Sequence, residues 1–502
     1  MKKYWTLLIF FACLVSGGTL RAEAQSRQGY RINGQLAPQV KPDPMVSQLL
    51  RQLRSLKGDI EARKKSVNLD QAIEAALLSN PDLAKAYAQI QNSQWNLIAV
   101  QRQWYPTLNA TSNTIPGQSF RTTTASGQGT QNTTTYSNTA ASGMTVNLGW
   151  TFFDPSRSPA INASSATLRS QQLLFDVSAR NLVLSVQESY FLLQEYRQLI
   201  SSYDEIQSNT DRQVKLAEAQ FNSGLLSIAD VEQIRTQQYR TLSTLINTYR
   251  LMLDSSAQLA QAMALPPGTL VLPADSDPQR TVGSWSDPLP ETIAQALRLR
   301  EEIQASMAQA DSANWGATSL FNTYWPKLGL LASGNIANNS NTAGTVGLAG
   351  TTNTSLNWNG DVGLSFRWQI FDGGINAANA QANLAQASQY RQQTASNRLL
   401  VTRQVEQAYS AYLTSQLALL SSKGQGLAAR QAVIAVQQRF NVGLTDTATV
   451  IQTLNQAIEA ANAYSTSARF YNISVASLYR FSARWPEGTQ EPLQKRMSRL
   501  KQ

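Results

Sequence analysis

The stretch Phe-Asn-Ser-Gly-Leu at residues 221–225 returns as Phe-Asn-Val-Gly-Leu at residues 440–444, about 219 residues further along the chain. Two other pairs keep nearly the same offset: Trp-Tyr-Pro at 104–106 with Tyr-Trp-Pro at 324–326, and Trp-Thr-Phe-Phe-Asp at 150–154 with Trp-Gln-Ile-Phe-Asp at 368–372. Three paired anchors in one register indicate an internal duplication. Although 502 residues could hold several domains, the sequence predicts one architecture built from two related halves.

Each half contains a stretch in which apolar and polar residues alternate. Alternation over about nine residues predicts a strand with one apolar and one polar face, long enough to cross a bilayer when tilted. Shorter partner strands are predicted at 108–110 and 328–332, and the segments 113–143 and 333–360, rich in Thr, Ser, Asn and Gly, are predicted to be loops. The apolar positions are Met144, Val146, Leu148, Trp150 and Phe152 in the first half, and Val362, Leu364, Phe366, Trp368 and Ile370 in the second.

Aromatic residues flank these strands, as expected at a membrane interface. A soluble sandwich with one buried face stays open as the alternative, because alternation does not distinguish lipid from a protein core. If the strands lie in lipid, four of them cannot close a barrel, and an open edge is not tolerated there. The chain is then expected to form a cyclic oligomer. The flanking aromatics are Trp104, Tyr105, Trp150, Tyr324, Trp325 and Trp368.

Long helices follow the strands in each half. Residues 160–222 and 375–423 contain neither Pro nor Gly, and the second pattern continues to 442 past two glycines. Their apolar residues recur in threes and fours, which is coiled-coil spacing, and about 60 residues make a rod of roughly 90 Å. Return helices are predicted at 227–264 and 445–479, and helices before the first strands at 68–103 and 289–321.

The sequence predicts the following segments: a signal peptide over 1–24, an N-terminal leader or short helix over 25–65, a first repeat over 66–264, a Pro-rich linker over 265–288, a second repeat over 289–481 and a basic tail over 482–502. Cys13, the single cysteine, lies inside the signal, so the mature chain is expected to lack thiols. A lipidated Cys13 is the alternative. The net charge of +10 is scattered, which predicts a solvated surface and no nucleic-acid partner.

The residues that catalysis usually requires are missing. The chain has no histidine, and it contains no nucleophile-elbow, P-loop or dinucleotide-binding motif in the required context. The sequence therefore predicts no enzymatic activity, no catalytic residues, no cofactor and no metal site.

From about residue 66 to residue 481, the paired order of these motifs resembles the TolC family of outer-membrane channel proteins. The resemblance rests on the Pro-bearing strand entries, the Trp-x-x-Phe-Asp strand exits with Gly373-Gly374 after the second, and the Phe-Asn-x-Gly-Leu tips. It implies a mainly α fold with transmembrane β: long coiled-coil hairpins, and four strands per chain in a shared trimeric outer-membrane β-barrel. It also implies a homotrimer surrounded by outer-membrane lipid, with its helical part in the periplasm.

The resemblance further implies a passive channel whose tips dock on a periplasmic membrane-fusion adaptor joined to an inner-membrane transporter, for multidrug efflux or type I protein secretion. Family members often close the tunnel with acidic residues that align here with Thr449 and Gln452, and neither is acidic. Asp230 and Asp446 therefore join them as aperture candidates, with an ordinary helix-surface role as the alternative. The docking residues carried over are Phe221, Asn222, Gly224 and Leu225, and Phe440, Asn441, Gly443 and Leu444.

Two other functions remain open from the sequence. A periplasmic coiled-coil adaptor or structural protein would use the long hairpins but has no need of aromatic-flanked strands. A hydrolase carried on an outer-membrane barrel would need a nucleophile and a base that the sequence does not offer.

Overall fold

The computed structural model describes residues 43–125, 133–274 and 283–501. The predicted signal peptide and Cys13 lie outside the described residues. The elements in chain order are α1 (Pro44–Arg63), β1 (Lys64–Val67), α2 (Leu69–Ser79), α3 (Pro81–Arg102), β2 (Thr107–Ala125), β3 (Thr133–Phe153), α4 (Arg157–Asn222), α5 (Ile228–Ala262), β4 (Leu270–Pro273), α6 (Leu289–Leu299), α7 (Glu301–Phe321), a 3-10 turn (Asn322–Tyr324), β5 (Lys327–Thr345), β6 (Thr351–Arg367), α8 (Ile375–Asn441), α9 (Thr447–Phe481) and α10 (Gln490–Lys501).

Four long strands form one antiparallel sheet in the order β2-β3-β5-β6. The predicted strands are confirmed, but the prediction of loops over 113–143 and 333–360 is wrong, because most of the described part of both segments is strand. Threonine favours extended backbone, and its hydroxyl bonds across the pairs, as between Thr342 and Thr352 at 2.9 Å. The second-half strand is also shorter at its end than predicted, because β6 stops at Arg367 before Trp368 and Ile370.

One face of this sheet is apolar across all four strands. Leu330 lies opposite both Trp150 and Leu364, and Ile336 lies opposite Met144 and Trp358. Side chains on this face are exposed in the single chain: Trp358 is 80% exposed and Leu364 is 81% exposed. The positions between them are mostly Asn, Ser, Thr and Gly, with Leu331 and Asp361 among them. The alternation therefore places the apolar side chains outside any core of this chain.

The base of each strand pair is held by the same hydrogen bond. Trp150 Nε1 donates to the carbonyl oxygen of Trp104 at 2.9 Å, and Trp368 Nε1 donates to that of Tyr324 at 2.9 Å. Both bonds join a tryptophan at a strand exit to the residue two positions before the proline at the strand entry. The duplication seen in the sequence is thus repeated in side-chain contacts.

The predicted rods and return helices are confirmed as α4, α5, α8 and α9, and α8 runs unbroken through Gly424 and Gly426. Their coiled-coil positions are buried, as expected for seam residues. The buried seam residues are Val183, Val186, Tyr190, Leu193 and Ile200 in α4, and Val401, Val405, Ala408 and Tyr412 in α8. None of the described helices combines the length and the apolar composition that a transmembrane helix requires.

The helices predicted over 68–103 and 289–321 are each divided in two. The first divides at Asn80, because Pro81 disfavours helical backbone at the residue before it, and Asn80 is extended with φ −62° and ψ 127°. Its side chain then caps α3 by accepting from the backbone N–H of Asp82 at 2.9 Å. The second divides at Arg300, which has the same extended backbone without a following proline.

A buried ion cluster lies beside that second division. Arg300 Nε donates to Glu302 Oε2 at 2.9 Å, and Arg480 donates to the other carboxylate oxygen. The two arginine side chains are only 4% and 5% exposed, and Glu302 is 24% exposed. Burial alone would raise the pKa of Glu302, but the hydrogen bond from Arg300 and the charge of Arg480 outweigh it and lower the pKa to about 2.

The linker and the tail both contain structure that the sequence did not predict. In the linker, β4 pairs in parallel with β1, with Lys64 opposite Leu270 and Val67 opposite Pro273. The tail forms α10. The chain divides into two compact units, one containing residues 43–58, 203–246 and 430–458, and the other the remaining described residues.

Candidate functional site

The two tips predicted from the repeated Phe-Asn-x-Gly-Leu motif have the same backbone structure. In the first, the N–H of Gly224 donates to the carbonyl of Phe221 at 2.9 Å and the N–H of Leu225 donates to that of Gln220 at 2.9 Å. In the second, Gly443 donates to Phe440 at 3.1 Å and Leu444 donates to Arg439 at 2.9 Å. This is the Schellman motif that ends helices. Both glycines have φ of 73°, a left-handed conformation that a side chain disfavours.

The proposed docking residues divide into buried and exposed members. Phe221 and Phe440 are only 5% and 2% exposed, so they pack inside the tips. Leu225 and Leu444 are 75% and 68% exposed at matching positions of the two motifs. Asn222 and Asn441 are also exposed. Each tip therefore presents a leucine and an asparagine to solvent, while its phenylalanine holds the turn in place.

Asp230 takes part in a capping box at the start of α5. Its Oδ2 accepts from the hydroxyl of Ser227 at 2.6 Å and from the backbone N–H of Ser227 at 3.2 Å, while its own N–H donates to the Ser227 hydroxyl at 3.2 Å. The hydrogen bond from Ser227 outweighs partial burial and lowers the pKa of Asp230. The carboxylate is thus ionised and fixed at the positive end of a helix.

Asp446 is the N-cap residue of α9. Its Oδ1 accepts from the backbone N–H of Thr449 at 3.0 Å, and hydrogen bonds from Thr449 lower the pKa of Asp446. Thr449 is therefore a donor to the cap, and Gln452, one turn further on, is exposed. Asp446 therefore has a structural role as a helix cap, and its side chain is nevertheless exposed at the tip.

The two tips lie close to each other. The negative charge of Asp446 opposes the lowering of the Asp230 pKa. Further from the tips, Gln237 Nε2 donates to Asn455 Oδ1 at 2.9 Å and joins α5 to α9. Arg235 bonds Glu218 at 2.8 Å and joins α5 to α4. Polar contacts thus hold the three helices together above the tips.

Helix α1 lies against this first hairpin, and the sequence did not predict that contact. Tyr239 Oη donates to Asp43 Oδ2 at 2.6 Å, and Lys57 Nζ donates to both carboxylate oxygens of Asp204 at 2.7 and 2.8 Å. A signal was available, because Val46, Leu53 and Ile60 recur every seven residues. Within the described residues, no group of three or more acidic side chains is placed to hold a metal ion.

The order of elements, the paired tips and the exposed apolar sheet agree with the comparison to known proteins. The model of the outer membrane efflux protein family matches residues 72–265 and 292–484, one segment for each half. The chain belongs to the outer membrane efflux protein family. Outer membrane protein TolC of Escherichia coli strain K12 is 24% identical to this efflux protein over 406 residues, covering 79% of this chain and 77% of that protein.

Solved structures of outer-membrane channels share the fold. The Campylobacter jejuni CmeC channel is 14% identical, with a TM-score of 0.67, and the match covers 86% of this efflux protein and 89% of that chain. The Neisseria gonorrhoeae MtrE channel in its open state is 17% identical, with a TM-score of 0.60 and coverage of 85% and 90%. The predicted fold class is therefore confirmed: long helical hairpins combined with strands, as in TolC-like outer-membrane channels.

Family membership also gives the general function and location. The efflux protein is an outer-membrane channel component, as the sequence predicted, and the coiled-coil adaptor alternative is not favoured. The CmeC and MtrE structures named above are outer-membrane channels. The absence of catalysis in this chain stays a prediction.

Proposed function

We propose that three copies of this efflux protein assemble into a homotrimer whose strands form one barrel in the outer membrane. The observation that carries the proposal is the four-stranded sheet, whose edge strands β2 and β6 are unpaired within the described chain and whose apolar face is exposed. Lipid does not tolerate open strand edges, because backbone groups there have no water to bond. Pairing β6 of one copy with β2 of the next in a ring satisfies both edges.

The helical hairpins of this trimer form a periplasmic tunnel for passive export. α4 and α8 contain 66 and 67 residues, so each rod is about 100 Å long at 1.5 Å per residue. Such rods are long enough to carry a conduit from the barrel deep into the periplasm. We assign to the tunnel the exit of substrates delivered by an inner-membrane transporter, in multidrug efflux or type I protein secretion.

The tips of the hairpins dock on a periplasmic membrane-fusion adaptor through their exposed leucines. Leu225 and Leu444 lie at equivalent places, so a partner meets the same apolar contact at both tips. The variant Leu225→Ser/Leu444→Ser should lose adaptor co-purification from the native envelope. Met45→Ser, which changes another exposed apolar side chain (61% exposed), is the matched control and should retain it. Equal retention by both variants would contradict docking through the leucines.

The capping carboxylates set the charge of the periplasmic aperture. Asp230 and Asp446 are ionised and close together, so three copies bring together a ring of negative charge that favours cations. Asn is as good an N-cap as Asp at position 446, and at position 230 its amide oxygen can still accept from Ser227, so Asp230→Asn and Asp446→Asn remove charge while keeping the cap contacts. Both should lower the cation preference seen in the reversal potential. Asp254→Asn, an exposed change in the other unit, should not, and an unchanged potential in all three would place the aperture elsewhere.

Thr449 and Gln452 complete the proposed aperture as its uncharged positions. Thr449→Asp and Gln452→Asp should each raise cation preference if these positions line the opening, and no change in reversal potential would remove them from it.

The experiment that tests the assembly is planar-bilayer conductance of the detergent-purified oligomer, with its mass determined by native mass spectrometry on the same preparation. A trimer with small, cation-biased conductance is the expected result. A monomer that stays soluble without detergent and does not conduct would overturn the proposal.

A further inference from the structure

Helix α1 precedes the part of the chain that the family model matches, which begins at residue 72. Up to Gly58, α1 belongs to the same compact unit as the end of α4 and the start of α5. It therefore lies outside the segments that the family model matches, and it is packed on the first hairpin.

The packing of α1 has the spacing of a coiled-coil strand. Val46 and Leu53, seven residues apart, are each 6% exposed, and Leu49, Leu50 and Leu56 between and after them are half-buried. The neighbouring Met45 is 61% exposed, so burial is confined to one side of the helix. This pattern is typical of a third helix packed against a two-helix coiled coil.

Polar contacts fix the position of α1 along the hairpin. Asp43 accepts from the backbone N–H of Met45 at 2.9 Å, which caps α1, and from the hydroxyl of Tyr239 on α5. The hydrogen bond from Tyr239, supported by the charge of Arg235, lowers the pKa of Asp43. Fourteen residues later Lys57 pairs with Asp204 on α4. One end of α1 is thus tied to each helix of the hairpin.

The second hairpin does not carry these contact residues. At the offset of about 219 residues, Asp204 corresponds to Lys423 and Tyr239 corresponds to Ile458. Lys423 would repel Lys57, and Ile458 has no hydroxyl for Asp43. The contacts that hold α1 therefore select the first hairpin over the second.

The start of α1 lies at a defined distance from the first tip. Tyr239 is eleven residues after Ile228, the first residue of α5. At 1.5 Å per residue that is about 17 Å, or about three helical turns. From Tyr239 away from the tip, α1 lies along the hairpin. Between Tyr239 and the tip, no described residue of α1 lies on it.

We propose that α1 is a built-in stop for a helical partner: the adaptor's helical hairpin overlaps the first hairpin only over the first three turns of α5, next to the tip, and no further. This inference rests on the docking of the adaptor at the tips proposed above. A partner coiled coil that lay further along the hairpin would have to displace α1 from Val46 and Leu53 and break its two polar contacts.

The first test asks whether α1 fills a separable helix-binding groove, and it needs no adaptor. The probe is a fluorescent synthetic peptide of residues 43–63, added to the full-length trimer in detergent. Val46→Asp/Leu53→Asp releases α1 and should bind the peptide at least tenfold more tightly than the unchanged chain. Met45→Asp, on the exposed side of α1, is the matched control and should behave as the unchanged chain does. Equal peptide binding by the released and unchanged chains would overturn the proposal.

The second test locates the stop. A photo-crosslinking amino acid is placed in the native host at Glu232 or at Ser243, which are exposed and lie seven residues before and four residues after Tyr239 on the same side of α5. Adaptor adducts, identified by mass, are expected at 232 and not at 243, and in the released variant at both.

The outcomes separate this inference from the function it rests on. An adaptor adduct at 243 in the otherwise unchanged chain would overturn the stop while leaving docking intact. No adduct at 232, 243 or the tip position Leu225 would overturn docking at the tips, and the stop would fall with it. No adduct at 243 in the released variant would overturn the role of α1 in setting the limit.

Discussion

The buried cluster of Arg300, Glu302 and Arg480 provides a sharp test of the physical account. Glu302→Gln removes the carboxylate and leaves two guanidinium groups that are 4% and 5% exposed. The lowering of the Glu302 pKa from 4.5 to about 2 corresponds to about 3 kcal/mol of stability, since one pKa unit is about 1.4 kcal/mol. Removing one partner of a buried ion pair costs a comparable amount, about 3–5 kcal/mol.

The same cluster predicts how stability changes with pH. The folded pKa of Glu302 is below its unfolded value, so its contribution is complete above about pH 4.5 and is lost as pH falls toward 2. At pH 3 the contribution should have fallen to about 1.4 kcal/mol. Burial lowers the pKa of Arg480 despite the attraction of Glu302, but arginine stays charged throughout this range, so the carboxylate sets the pH dependence.

The assay is urea unfolding of the detergent-purified protein, followed by circular dichroism at pH 6 and pH 3. Asp254→Asn is the control, because its pair with Arg250 is exposed on both sides and such pairs contribute about 0–1 kcal/mol. Glu302→Gln should lower the unfolding free energy by about 3 kcal/mol relative to this control at pH 6, and by less at pH 3. Equal unfolding curves for the two variants, or a difference independent of pH, would show that the Glu302 carboxylate does not stabilise the fold through its two arginines.

Three further predictions concern the tips, α1 and the strand bases. Gly443→Ala places a side chain at a φ of 73° and should lower the free energy of unfolding by about 1 kcal/mol. Gly424→Ala, inside α8 with open space at its Cβ, should raise the free energy of unfolding by up to about 1 kcal/mol. Urea unfolding distinguishes the two variants, and a change of the same sign in both would contradict the tip geometry. Partial burial and the hydrogen bond to Asp43 raise the pKa of Tyr239 to about 12. Ultraviolet absorbance is followed in an alkaline titration, and the difference between the unchanged chain and Tyr239→Phe gives the ionisation of Tyr239 alone. Asp43→Asn should lower the pH at which Tyr239 ionises. Ionisation of Tyr239 near pH 10 in the unchanged chain would contradict the prediction. Trp368→Phe removes the bond to the Tyr324 carbonyl and should destabilise by about 1 kcal/mol, while Trp325→Phe at an exposed site should change little; equal effects would argue against the role of that bond.

The sequence predicted the parts of the fold that have a strong period. Residues such as Val183 and Val401 recur at helical spacing because both rods bury a seam, and the tips follow from glycines whose backbone no other residue adopts readily. Strand lengths were missed because threonine and asparagine on both faces beyond the apolar band leave no alternation to detect. The helix division at Arg300 was missed because neither proline nor glycine marks it.

The candidate site was only partly predictable for a related reason. Phe221 and Leu225 are both apolar and four residues apart, and only packing decides that one is buried and the other exposed. The capping role of Asp230 could have been found, since Ser227 three residues before it completes the capping-box pattern. The seven-residue spacing in α1 indicates that this helix packs against another, but its contact with Tyr239 joins segments 196 residues apart, and no local pattern identifies that partner.

The two tryptophan bonds at the strand bases bear on how the sheet can form. Each bond closes a chain segment of modest length, 46 residues for Trp150 with Trp104 and 44 for Trp368 with Tyr324, and neither joins one half to the other. Closing a segment of that size costs less entropy than closing one that spans the duplication. Each half can therefore secure its own strand pair as soon as it has been exported, before the other half has arrived, and the late step is the joining of two finished hairpins along β3 and β5.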